Sequence, residues 1–167
     1  MLYYITGGER SGKSSYAQNL AIQLSDSPTY IATSRVWDDD HRNRINRHIK
    51  DRDQRWTSIE EEKELSKVIV KDSIVVIDCV TLWLTNFFVD TENDIETSLL
   101  QAKAEFTKLL AIQATIIIIS NEIGMGVHAQ TEIGRKFTEL QGWMNQHIAK
   151  HADKAILMVS GIPVILK

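Results

Sequence analysis

Three observations predict a three-layer α/β fold with a mostly parallel central sheet and an antiparallel hairpin at its C-terminal edge. Short β-branched apolar runs alternate with longer segments of helical period, as in sheets covered by helices. The runs are apolar throughout rather than alternating, which fits strands buried on both faces. The final run is followed by a Gly/Pro turn and one more apolar stretch. With 167 residues, 43% of them hydrophobic and 25% charged, residues 1–167 suffice for one domain with its own core and leave little for a second.

The strands are expected at LYYIT (2–6), TYIAT (29–33), SIVVID (73–78), TIIIIS (115–120) and AILMVS (155–160). After the last, Gly161-Ile162-Pro163 is expected to turn the chain, so that VILK returns as an antiparallel edge strand and shields that edge. Helices fill the gaps. Ala17, Leu20, Ala21 and Leu24 recur at helical spacing, as do Leu99, Ala102, Phe106, Leu109 and Leu110, and then Phe137, Leu140, Met144 and Ile148. Each set is expected to face the core. The acidic stretch FVDTENDIE (88–96) lacks an apolar period and reads as a mobile surface connection.

Composition excludes several classes. The formal net charge of -3 carries no basic excess, so no nucleic-acid partner is expected, and there is no acidic tail. One cysteine, Cys79, permits no intrachain disulfide framework, and no leader segment opens the sequence, so a reducing cytoplasm is the expected compartment. No apolar run approaches the roughly 18 residues of a membrane span. A soluble chain without membrane insertion is expected.

Chemistry enters at GGERSGKS, where Gly7, Gly12, Lys13 and Ser14 stand at the spacing G-x-x-x-x-G-K-[ST]. A strand ending at Thr6, then glycines, then a helix from about Lys13 would aim several backbone N–H groups at one point, at the helix's positive end. Phosphate oxygens fit there. Lys13 would reach the β- and γ-phosphates and the Ser14 hydroxyl would ligate Mg²⁺, which makes the expected fold a P-loop NTPase-type one. The plainer alternative is a glycine turn with an exposed lysine. A second carboxylate for the metal is expected at the tip of a buried strand, and IVVID supplies Asp78, which could instead cap the next helix. Glu122, just past TIIIIS, is a weaker candidate that could polarise a hydroxyl or a water.

Residues 34–56 are unusually rich in charge. A helix here would align His41, Arg44, His48 and Arg52 on one face, with Ile45 and Ile49 beside it. Such a helix is commonly just solvated. Alternatively, neutral histidine is a nucleophile toward phosphorus, and flanking arginines would balance the charge that builds under attack.

Together GGERSGKS, YIATSRVWDDDHRNRINRH, Trp56-Thr57, DCVTLWLTN, SNEIGMGV and GIPVILK resemble the bifunctional adenosylcobinamide kinase/adenosylcobinamide-phosphate guanylyltransferases of cobalamin assembly, over nearly the whole chain. The resemblance implies two steps. The aminopropanol hydroxyl of adenosylcobinamide is phosphorylated with ATP or GTP. GMP then passes from GTP, through a guanylyl-histidine, to that phosphate, giving adenosylcobinamide-GDP and pyrophosphate. The R-I-x-x-H pattern, here Arg44-Ile45-Asn46-Arg47-His48, selects His48 over His41 as the nucleophile. With His48, the catalytic set it implies is Lys13 and Asp78. The implied nucleotide site is Gly7, Gly8, Glu9, Arg10, Ser11, Gly12, Lys13 and Ser14, then Ala32, Thr33 and Ser34, then Ile49, Lys50, Asp51 and Arg52, and Glu60. Ser14 and Asp78 would hold Mg²⁺. His128, His147 and His151 match no motif position.

The resemblance also implies a homotrimer, to which the apolar LWLTNFFV stretch (82–89) could contribute unless it is an ordinary buried helix. Trp37, Trp56, Trp83 and Trp143 are expected in core or interface packing. Two departures bear on the corrinoid: His128-Ala129-Gln130 follows GMGV where the family often has a proline-containing segment, and RKFTEL keeps Arg135 and Lys136 but no second arginine. Two other readings share the P-loop. A single-step small-molecule kinase needs no nucleophilic histidine, and a nucleotide-regulated binding module forms no product.

Overall fold

The computed structural model describes residues 1–35 and 53–167. Its elements run β1 (Leu2–Gly7), α1 (Lys13–Leu24), β2 (Thr29–Ala32), β3 (Thr57–Glu60), a short 3-10 turn (Leu65–Lys67), β4 (Ile74–Asp78), α2 (Val80–Asp90), α3 (Ile95–Ala111), β5 (Thr115–Ile119), a second 3-10 turn (Ile123–Met125), α4 (Glu132–His151), β6 (Lys154–Val159) and β7 (Ile162–Ile165). The strands form one sheet in the order β3-β2-β4-β5-β1-β6-β7. Every pairing is parallel except β6 with β7.

The continuous apolar runs are buried on both faces because successive side chains point to opposite sides of the sheet. Leu2, Tyr4, Ile31, Val75, Ile77, Ile116 and Ile118 meet Trp83, Leu84, Phe87, Phe106, Leu140 and Met144 of α2, α3 and α4. Their neighbours Ile5, Tyr30, Val76, Ile117, Ile119 and Ile156 meet Ala17 and Ala21 of α1 on the other face. Trp83 is fully buried, and emptying such a site by truncation to alanine typically costs about 3–5 kcal/mol. Asp94 accepts from the Thr97 amide at 2.7 Å to cap α3, and Thr131 accepts from that of Gly134 at 3.0 Å to cap α4.

Several expectations are corrected. The strand β3 was not anticipated: it is a short edge strand whose residues are mostly exposed, so no apolar run marks it. The C-terminal turn is Ser160-Gly161 rather than Gly161-Ile162-Pro163. Val159 pairs with Ile162, and the two turn residues take φ of 51° and 84°, the left-handed pair that a two-residue hairpin requires. Residues 88–96 are no loose connection, since Phe88 to Asp90 finish α2, Thr91–Asn93 form a tight turn and α3 starts at Ile95. LWLTNFFV is a largely buried helix, with Trp83, Leu84, Phe87 and Phe88 in the core. Leu24 and Leu110 lie at helix ends and are exposed, not core. Trp143 is exposed in the single chain and so is not a core residue, while Trp56 packs as expected, edge-on against Tyr30 with ring centroids 6.0 Å apart. Among the described residues, no helix is long and apolar enough to cross a membrane.

Candidate active site

The inner strand β1 delivers the chain to Gly7, and the loop that follows cannot be built from ordinary residues. Gly7 has φ 149° and Gly12 φ 95°. A Cβ at Gly7 would lie 2.5 Å from the Met158 carbonyl oxygen and 2.8 Å from Ser11 Oγ, so only glycine passes between the loop and β6. The loop is tied to the hairpin where the Gly161 amide donates to the Ser11 carbonyl at 2.9 Å. Helix α1 begins at Lys13, and no side chain caps its first turn. Those amides are left to face an anion, which the helix dipole also favours.

Lys13 is buried at 7% exposure, against the alternative of an exposed turn lysine. Its ammonium donates to the Gly8 carbonyl at 2.5 Å and to Ser11 Oγ at 3.4 Å. Burial holds its pKa below the ordinary lysine value, partly opposed by the negative charge of Asp78 and Glu9.

Asp78 ends β4 in register with Ala32 of β2 and Ile119 of β5. Ser14 Oγ donates to its Oδ2 at 3.0 Å and the Tyr30 hydroxyl donates to the same oxygen at 2.6 Å. Asp78 does not cap α2, whose N-cap is Cys79 with no side-chain cap bond. A serine hydroxyl and a carboxylate in contact at the mouth of the loop are hard oxygen donors, which fit Mg²⁺ held by few protein ligands and by phosphates. Burial pushes the neighbouring Cys79 thiol up to about 12, which makes it a poor nucleophile.

The second predicted segment converges on the same end of the sheet. Thr33 is fully buried, and its hydroxyl donates to the Cys79 carbonyl at 2.8 Å and accepts from the Cys79 amide at 2.9 Å. Its side chain is thus a clamp between the ends of β2 and β4. Ser34 is buried beside it. Glu60 sits at the sheet edge in register with Ala32 and lines a different cavity, with Glu62, Lys63 and Phe87 among its walls. His48, Ile49, Lys50, Asp51 and Arg52, along with His41, Arg44 and Trp37, lie outside the described residues.

Beside the P-loop runs a groove of about 750 Å³. Gly8, Glu9 and Ser11 form one wall, Cys79, Thr81 and Leu82 another, and Asn121 to Ile123, Met125, Gly126 and Leu157 to Ser160 complete it. Sequence reasoning missed two residues that shape this end. Tyr30 orients Asp78, a contact visible only once β2 and β4 are known to pair. Asn86, 1% exposed, donates to the carbonyls of Thr33 at 2.7 Å and Glu62 at 2.9 Å, and an amide inside an otherwise apolar helix was the available signal.

The intact cradle, the Ser14–Asp78 contact and the parallel sheet are properties of many nucleotide enzymes, and comparison with known families separates them. The model of the cobinamide kinase / cobinamide phosphate guanyltransferase family matches residues 3–166. The chain belongs to this family.

Relatives agree end to end. The family member CobU of Escherichia coli (strain K12), a bifunctional adenosylcobalamin biosynthesis protein, is 34% identical, with 100% of each chain covered. CobP of Pseudomonas aeruginosa, under the same description, is 33% identical over 98% of this chain and 95% of its own. Among solved structures, the flagellar accessory protein FlaH of Methanocaldococcus jannaschii aligns with a TM-score of 0.47 and 17% identity, over 99% of this chain and 77% of its own. That likeness is too distant to bear on function. At the positions where this cobinamide kinase / guanyltransferase departs from the usual motifs, His128, Ala129 and Arg135 line a neighbouring cavity of about 550 Å³. Arg135 donates to the carbonyls of Ala129 and Gln130, and Lys136 pairs with Glu132 at 2.8 Å. His147 and His151 pack edge-on against Phe106 from α4, outside the groove.

Proposed function

We propose that this chain carries both activities of its family: it phosphorylates adenosylcobinamide with a nucleoside triphosphate and then converts the phosphate to adenosylcobinamide-GDP with GTP. The full-length family match over residues 3–166 carries this reading. The arrangement of Lys13, Ser14 and Asp78 agrees with it.

In the first step the loop amides and the head of α1 hold the triphosphate. Lys13 exchanges the Gly8 carbonyl and the Ser11 hydroxyl for phosphate oxygens, and its buried charge acts there with little screening by water. Ser14 and Asp78 would hold Mg²⁺, which supplies charge neutralisation on the phosphates when bound. Tyr30 keeps the Asp78 carboxylate aimed toward Ser14. Because phosphoryl transfer needs mainly positioning and electrostatics, these residues account for much of what the protein must contribute.

In the second step His48 attacks the α-phosphorus of GTP, and the bond to pyrophosphate breaks. The phosphate of the first product then attacks the same phosphorus and releases His48. Ala32 to Ser34, Ile49 to Arg52 and Glu60 are assigned to the nucleotide, and the active assembly is assigned as a cytoplasmic homotrimer. One experiment tests the whole reading: incubate the chain with adenosylcobinamide, Mg²⁺ and GTP, then resolve products by mass. Cobinamide phosphate followed by cobinamide-GDP is expected. Phosphate alone would favour the single-step kinase, and no product would favour a binding module.

A further inference from the structure

We propose that Glu122 is the general base of the phosphoryl-transfer step, taking the proton from the acceptor hydroxyl as that oxygen attacks the γ-phosphorus; the assignment rests on the kinase reading above.

Topology puts Glu122 where such a base must stand. Strand β5 lies between β1, which carries the phosphate cradle, and β4, which carries Asp78. Ile119 is in register with Ile5 on one side and Asp78 on the other, so the residues just beyond it emerge between cradle and metal carboxylate. The placement is fixed by the backbone: the Ser120 amide donates to the Ile5 carbonyl at 2.9 Å and the Glu122 amide to that of Gly7 at 3.0 Å. Glu122 is therefore bound to the first glycine of the cradle itself.

A buried polar cluster on α4 holds this tip from behind. Ser120 donates to Asn145 Oδ1 at 2.6 Å, Gln141 donates to Ser120 Oγ at 2.8 Å, and Asn145 donates to the Asn121 carbonyl at 3.1 Å. Ser120 is fully buried, with Gln141 and Asn145 nearly so, and although Gln141 Oε1 is left without a partner among the described residues, these linked side-chain bonds hold the tip against α4.

Elimination then singles out one group. Asn121 commits its side-chain amide to Thr81 Oγ1 at 3.1 Å and has no basic atom to offer. Asp78 accepts from Ser14 and Tyr30. Glu9 also lines the groove, but it is exposed on the loop, whereas the Glu122 backbone is anchored to Gly7. Glu122 is partly buried, lines the groove beside Gly8 and Ser11, and among the described residues receives no hydrogen bond or ion pair on its carboxylate. Leu82, Ile123, Leu157 and Met158 give the groove apolar walls against which the body of an acceptor can rest.

The step balances with the substrates already named. The acceptor oxygen forms a bond to the γ-phosphorus while the bond to the β-phosphate oxygen breaks, and its electron pair leaves with the nucleoside diphosphate. The hydroxyl proton passes to Glu122 and then to water. In the guanylyl step the acceptor is a phosphate that is already ionised, so no proton has to be removed. Glu122 is therefore required for the first reaction only.

The test measures the two steps separately in Glu122→Gln and Glu122→Asp, with adenosylcobinamide and nucleoside triphosphate for one and cobinamide phosphate and GTP for the other. Glu122→Gln is expected to lower kcat of phosphorylation by about 100-fold or more, the usual scale of a lost general base, with KM for the nucleotide nearly unchanged. Guanylyl transfer should stay at the wild-type rate, and Glu122→Asp should fall between. Unchanged phosphorylation in Glu122→Gln, or equal losses in both steps, would overturn the assignment. A wild type that forms no cobinamide phosphate overturns the kinase reading together with it, whereas an active wild type matched by Glu122→Gln overturns the base alone.

Discussion

Ser14 at the head of α1 donates its hydroxyl to Asp78 Oδ2 at the tip of β4 across 3.0 Å, joining the phosphate loop to the strand that supplies the metal carboxylate. The two residues are far apart in sequence and meet because β1 and β4 flank β5 in one parallel sheet. Asp78→Asn keeps the size of the side chain and removes its charge. Both reactions should then slow by about 100- to 1,000-fold, as when one electrostatic partner of a transition state is lost. Steady-state assays of each step check this, and an unchanged rate in either step would contradict a role for Asp78 in both.

Gly7→Ala places a methyl group against the Met158 carbonyl oxygen, at a backbone angle that L-residues avoid. Strain of this kind costs about 1–3 kcal/mol, and relief requires the loop to leave β6. The variant should unfold at lower denaturant and bind nucleotide more weakly, as read by chemical denaturation and by calorimetric titration.

Asp90, at the end of α2, accepts from Arg35 at 2.9 Å and Lys63 at 2.6 Å. These hydrogen bonds hold its carboxyl well below the usual carboxylate range. Because the folded pKa is depressed, the stabilisation is fully present above the unfolded value of about 3.9 and is lost as pH falls below it. The pair is partly exposed, so about 1 kcal/mol is the expected size. Asp90→Asn should therefore be less stable than wild type at neutral pH, and the gap should close in strong acid or high salt.

Asn86→Leu removes the donor shared by two carbonyls that β2 and the segment after β3 leave unpaired. Each buried acceptor left without a partner costs about 1–3 kcal/mol, so a loss of about 2–6 kcal/mol in unfolding free energy is expected. The Thr33 clamp should loosen with it, which amide exchange at Thr33 and Cys79 would report.

What could be read in advance follows from how local each signal is. The cradle was legible because glycine spacing, a preceding strand and a following helix are neighbours in sequence. So were the five inner strands, since burial on both faces demands uninterrupted apolar residues such as TIIII. The edge strand Thr57–Glu60 escaped because one neighbour and open solvent place no such demand on TSIE. The turn was misplaced because Gly161 and Pro163 are strong breakers, yet the left-handed serine at 160 starts it and Pro163 lies within β7. The Tyr30–Asp78 contact depends on which strands pair, and no local pattern announces that. LWLTNFFV left helix burial and surface contact equally open, and packing of Trp83 and Phe87 under the sheet decides for burial.

Incubation with GTP labelled at the α-phosphate, without any corrinoid, tests the account most directly. The wild-type chain should acquire an acid-labile covalent label, while His48→Asn should acquire none and keep most of its phosphorylating activity. Acid-labile label retained in His48→Asn would contradict the account.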